Sequence, residues 1–245
     1  MIFRFSGSGK LFQALSLSLV VLIVGCAQPS IPTAPTGTMD VLGPVPAFEP
    51  NALPLDWVSV GKITEGQLSV VTRDGVPAQK VINGVQSFIA VKPTQASLLA
   101  TPYLSWAWNM APQDKGAHPV RLAIGFLGGH PEPRPQTANP DKKGAGLPPH
   151  DRAVVIIWGQ SALQRGAIEI PKTTGKRQAA AQYTPPGGRE NTGSWWFETV
   201  DLSDIYRRAW PGDDAGQAQI TFIGIAAAPA RKPAAAYISG LRLSR

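Results

Sequence analysis

The polarity pattern divides this chain in two. From Leu11 to Val24 it is nearly all Leu, Val, Ile, Ala and Ser. As a helix these roughly 14 residues would rise only ~21 Å, short of a ~30 Å hydrocarbon core. Beyond residue 50 the apolar residues come in short alternating runs instead. Leu104, Trp106, Trp108 and Met110 alternate with Tyr103, Ser105, Ala107 and Asn109, which puts the large side chains on one face of a strand. Leu122, Ile124 and Phe126 alternate in the same way with Arg121, Ala123 and Gly125. Residues 154–158 form a continuous apolar run, as expected of a central strand covered on both faces. Residues 220–225 and 237–243 predict a closing pair. Weaker strand signals lie at 57–60, 67–72, 86–91, 168–170 and 195–199.

One helix is predicted after the last of these. Asp201 is placed to cap it, and Asp204 puts negative charge at the positive end of its dipole. Leu202, Ile205, Tyr206 and Ala209 follow the spacing of a buried helical face. Arg207 and Arg208 suit its last turn, and Pro211-Gly212 ends it. Many short strands with Gly/Pro turns, a single helix and no βαβ rhythm predict a mainly β fold, an antiparallel β-sandwich of the jelly-roll kind with one short helix and long loops. Two insertions interrupt it, 128–152 and 171–193. Both are rich in Pro and poor in large apolar residues. A long stretch without structure is either functional or disordered, and the first reads as disordered.

Composition adds a location. Arg4 and Lys10 precede the apolar run, and the chain's single cysteine, Cys26, ends it. A charged start, a short apolar segment and a small residue before a cut describe a secretory signal. The stretch Ile23-Val24-Gly25-Cys26 resembles a bacterial lipobox, so Cys26 is expected to carry lipid and tie the protein to a bilayer. Ala27, rather than Asp, follows it. By resemblance to Gram-negative lipoproteins, that favours the outer membrane, facing the periplasm. The expected organisation is a signal over 1–25, an acylated cysteine with a flexible Pro-rich linker over 26–52, and one domain over 53–245. With Cys26 acylated, no disulfide is available and the fold rests on packing alone. Loss of the signal takes the formal charge from +7 to +5, because Arg4 and Lys10 are its only charges. The remaining basic residues are scattered, which argues against a nucleic-acid partner. Ser8-Gly9-Lys10 lacks the upstream glycine of a phosphate-binding loop, since Arg4 stands there.

With the strands placed, the order of motifs resembles a family of bacterial exported proteins known as a domain of unknown function. The resemblance runs from about Phe88 to Leu243. Its carriers are Pro102-Tyr103-Leu104-Ser105-Trp106-Ala107-Trp108, the Arg121 strand, Val155-Ile156-Ile157-Trp158, and the spacing Trp195, Glu198, Asp201, Tyr206-Arg207-Arg208. It implies a galactose-binding-like, carbohydrate-binding-like sandwich. The chain departs from the family's polar pattern at Lys115-Gly116-Ala117-His118, at Gly159, at Val200 and across 228–233, so no ligand set is carried over.

No catalytic motif is expected and no cofactor or metal is implied. His118, His130 and His150 lie in loops beside proline and read as solvated. Asp213-Asp214 reads as a polar turn. Glu198 is expected to pair with a nearby arginine rather than to form an acid–base pair with the capping Asp201. Trp106, Trp108 and Trp158 read as core. Trp195 and Trp196 are adjacent, so in a strand they face opposite ways, and one points off the core as a possible sugar platform. Trp195, Trp196 and Glu198 are the ligand-binding candidates. The leading expectation is a non-catalytic, membrane-anchored envelope lipoprotein that binds a glycan or another envelope component. The alternatives are a structural or assembly protein that docks a protein partner, and an unrecognised hydrolase.

Overall fold

The computed structural model describes residues 37–43, 53–113, 116–132, 146–171 and 179–245. The expected signal and Cys26 lie outside them. In chain order the strands are β1 (Thr38–Asp40), β2 (Val58–Gly61), β3 (Leu68–Arg73), β4 (Val76–Ile82), β5 (Phe88–Ser97), β6 (Tyr103–Met110), β7 (Val120–Leu127), β8 (Arg152–Ile157), β9 (Ile168–Glu169), β10 (Ala181–Tyr183), β11 (Trp195–Asp201), β12 (Gln219–Ala227) and β13 (Ala235–Ser244). The helix α1 (Leu202–Ala209) follows β11 directly. The strands form two sheets packed as a sandwich. A six-stranded sheet runs β11-β6-β13-β4-β3, with β1 beside the far half of β13. A seven-stranded sheet runs β2-β5-β12-β7-β8-β10-β9. Every described pairing is antiparallel except that of β8 with β10.

The period-two reading of β6 and β7 holds residue by residue. Leu104, Trp106, Trp108 and Met110 from one sheet meet Leu122, Ile124 and Phe126 from the other, all in one core. Trp108 sits at its centre. The rings of Trp106 and Trp158 approach it edge-to-face, each with centroids 5.3 Å away. The indole N–H of Trp158 donates to the Gly188 carbonyl at 3.1 Å, which satisfies its one polar atom and ties the 171–193 insertion to the core.

The helix begins as its sequence dictates. An Asp201 carboxylate oxygen accepts from the backbone N–H groups of Ser203 and Asp204, at 2.8 and 3.1 Å. Leu202, Ile205, Tyr206 and Ala209 are buried. Tyr206 and Trp210 pack edge-to-face with each other and with Phe126.

Two expectations need correction and a third needs refinement. Residues 37–43, within the stretch read as linker, belong to the sandwich: β1 pairs with β13, and Met39, Val41 and Leu42 are buried in the core. The 171–193 insertion is not loop throughout, because β10 joins the seven-stranded sheet and residues 189–191 form a 3-10 turn. The polar turn at Asp213 forms, but its carboxylate is buried. It makes a two-bond ion pair with Arg152, at 2.7 and 2.9 Å, and accepts from the Tyr206 hydroxyl at 3.0 Å. That triad fastens the start of β8 to the end of α1.

Candidate functional site

Strand β11 forms one edge of the six-stranded sheet and pairs along its whole length with β6. Register then decides what each face carries. Trp196, Glu198 and Val200 lie opposite Trp108, Trp106 and Leu104, so they share the inward face. Trp195, Phe197 and Thr199 lie opposite Asn109, Ala107 and Ser105, on the outward face. The two tryptophans therefore do face opposite ways. Trp196 packs against the core and donates its indole N–H to the Asn191 carbonyl at 3.0 Å. Trp195 lies half-buried on the outside, its N–H donating to the Arg73 carbonyl at 3.1 Å.

The outward face also shows what the sequence reading passed over. Phe197 is 80% exposed and stands two residues from Trp195 on the same side. Alternate residues on a strand are roughly 7 Å apart, so the two rings form a short row along the sheet edge. Beside that row β6 and β13 contribute short polar side chains. The Ser105 and Thr199 hydroxyls share a hydrogen bond at 2.9 Å. Asn109 donates its amide to the Gly193 carbonyl at 3.2 Å. Tyr237, opposite Asn109 on β13, lies under the Arg73 guanidinium at 5.2 Å. Tyr103 adds a 41% exposed ring at the far end of β6. The period-two signal that separated Trp195 from Trp196 places Phe197 with Trp195, so the third aromatic was legible.

The other face of β11 has different chemistry. The Glu198 side chain is buried, and one carboxyl oxygen has no hydrogen-bond partner. Burial pushes this carboxyl up to about 7, against the pull of Arg165. The expected pairing with an arginine is therefore an electrostatic neighbour and no ion pair. Glu198 points between the sheets, away from Trp195 and Phe197, and Asp201 is occupied as the helix cap. Of the ligand-binding candidates, then, only Trp195 lies on the outward face.

The histidines also separate. His118 is fully buried, contrary to the solvated reading. Its Nδ1 accepts from the Val120 N–H at 3.1 Å, and burial lowers its pKa to about 4. Nδ1 of His130 accepts from the Glu132 N–H. His150 packs edge-on against Phe222 with centroids 5.1 Å apart. Among the described residues no group of three His, Cys, Asp or Glu side chains is placed to hold a metal ion.

Solved structures similar to this chain are sandwiches of low sequence identity. A family 11 carbohydrate-binding module from Clostridium thermocellum, solved with a β-1,3-1,4-mixed-linked tetrasaccharide, is 10% identical; the match covers 80% of this chain and 93% of that one, with a TM-score of 0.38. A family 30 module of a Clostridium thermocellum cellulosomal cellulase is 12% identical, over 78% and 92%, with a TM-score of 0.40. The GH12 endoglucanase 3 of Trichoderma harzianum is 11% identical, over 79% and 99%, with a TM-score of 0.36. Likenesses of this size transfer neither ligand nor reaction. No protein-family model matches the chain, and no curated protein matches it.

Proposed function

We propose that this domain is a non-catalytic binding module that holds a glycan of the bacterial cell envelope against the outward face of β11 and β6. The observation that carries the reading is the row made by Phe197 and Trp195. A phenyl ring 80% exposed beside a second aromatic leaves apolar surface in water, and a molecule stacked on it would remove that surface from water. A sugar ring suits both parts of the face: its C–H side covers the aromatics, and its hydroxyls meet the hydroxyls of Ser105 and Thr199. Lipid attachment at Cys26 would hold the module at the periplasmic side of the outer membrane, and this part rests on the sequence alone. The reading is non-catalytic because the buried carboxyl of Glu198 faces away from the platform.

The test uses the full chain in a polyoxyethylene detergent, passed over immobilised envelope polysaccharide fractions. The wild type is retained, whereas Phe197→Ala and Trp195→Ala elute early. Release of reducing ends from the same fractions would overturn the non-catalytic reading, and equal retention of all three proteins would overturn the site. Cys26→Ser should abolish palmitate labelling; normal labelling of that variant would refute the anchor.

A second reading has one observation in its favour. Among the described residues β11 has no partner strand on its outer side. A protein partner could add a strand there, with Phe197 as an anchor. Protease treatment of the envelope fraction would then abolish binding, while a stacked glycan would survive it.

A further inference from the structure

The outer face of the seven-stranded sheet combines an apolar floor with a half-buried cation. Its floor is low because β7 and β12 carry small residues there, Ala123, Gly125, Gly224 and Ala226. A Cβ added to Gly125 would lie inside the Phe222 ring's contact distance. Beside it, Val60, Phe88, Ile89, Val155 and Ala226 line a cleft of about 310 Å3 walled by apolar groups. A second cleft, of about 550 Å3, lies against it and shares Arg121, Ala228 and Pro229 with the first. Its walls are prolines and alanines, with Arg121, Arg231 and Lys232 the charged residues lining it. No acidic residue does so among those described.

Arg121 stands at the junction. Strand alternation turns it outward, since Val120 and Leu122 are in the core. It is half-buried, its Nε is shielded from solvent with no hydrogen-bond partner, and no ion pair among the described residues includes it. Burial lowers its pKa, the mark of a guanidinium that has lost water and gained no anion. A charged group so placed is costly unless something neutralises it. The combined volume is that of a small-molecule site.

We infer that this groove binds a single-chain amphiphile, with its alkyl chain along the apolar cleft and its phosphate or carboxylate head on Arg121. Charge complementarity selects the head: Arg121 and Arg231 present guanidinium forks suited to two parallel bonds with an oxyanion. The apolar floor selects the chain, because each methylene removed from water contributes about 0.8 kcal/mol. This site lies on the sheet opposite the glycan platform and does not depend on that reading.

The experiment is native mass spectrometry of the full chain held in octaethylene glycol dodecyl ether, which supplies an uncharged dodecyl chain in excess. Dodecyl phosphate, laurate and inorganic phosphate are titrated separately. One dodecyl phosphate or one laurate should bind over the detergent background, and inorganic phosphate should not. Arg121→Gln should weaken that adduct ~10-fold or more. Arg121→Lys keeps the charge without the fork and should weaken it less. Ala226→Leu fills the floor and should remove the adduct with Arg121 intact, so a misfolded arginine variant alone does not decide the matter. Unchanged binding in both Arg121 variants would overturn the proposal. So would inorganic phosphate binding as tightly as dodecyl phosphate, or an adduct that survives Ala226→Leu.

Discussion

The two outer faces of this sandwich share a core and differ in almost everything else. The six-stranded sheet turns Trp195, Phe197, Tyr103 and Tyr237 outward among hydroxyls and amides. The seven-stranded sheet turns out aliphatic side chains, alanines, glycines and Phe222, with an arginine that has no ion-pair partner among the described residues. The inward faces are interchangeable apolar surface, because a core asks only for volume and complementarity. The outward faces are free of that demand, so their contrast carries the chemistry. Large rings beside short polar groups offer a surface to stack on. Small residues around one cation offer a groove to fill.

That contrast can be broken most severely at its frame. Asp213→Ala leaves Arg152 buried without its anion at the end of the seven-stranded face. It should cost about 3–5 kcal/mol in denaturant unfolding, and a loss near zero would show that the triad does not hold β8 to α1.

The next effect lies between the faces and is read by pH. Glu198, raised to about 7, holds its proton when folded and has lost it when unfolded between pH 4.5 and 7, so its contribution is present at low pH and lost as pH rises through 7. His118, lowered to about 4, works the other way: its contribution is present above pH 6.5 and lost as pH falls toward 4. The two slopes oppose each other across pH 4.5–6.5, each on the order of 2 kcal/mol. Glu198→Gln should therefore make stability fall on acidification across that window. His118→Gln should make it fall as pH rises. Identical pH profiles for both variants and the wild type would contradict the buried assignments.

A smaller effect tests the low floor. Gly125→Ala pushes a methyl group into the Phe222 ring and should cost ~1–3 kcal/mol from overpacking. The smallest effect on stability belongs to Phe197→Ala, within about 0.5 kcal/mol, because the ring touches little in the free protein.

Much of this architecture is legible in the chain. The alternation of Leu104, Trp106, Trp108 and Met110 gives a strand, a face and a core together, and Asp201 with the spacing through Ala209 gives a helix and its cap. What stays hidden depends on long-range packing. β1 is three residues in a Pro/Gly-rich stretch, and nothing local says that β13 will pair with it. β10 follows a run of alanines that shows no period. β4 is broken up by Pro77, Gln79 and Lys80, yet the amide of Gln79 is buried and donates to the Ser69 and Lys80 carbonyls. The Asp74-Gly75 turn between β3 and β4 was a readable hairpin signal, with both residues at positive φ. His118 looks solvated because it stands in a Gly/Ala/Pro stretch that carries no strand period. It is buried by distant chain, as the bond from its own N–H to the Trp158 carbonyl shows. Within the site, alternation separates Trp195 from Trp196, whereas the fate of Glu198 depends on the inward face it shares with Trp106.

The measurement that bears most directly on the proposed role is calorimetric titration of the full chain with soluble envelope oligosaccharides, comparing wild type with Phe197→Ala. Losing one stacked ring should weaken binding ~10-fold or more while the unfolding midpoint stays put. Equal affinity in the two proteins would contradict the account.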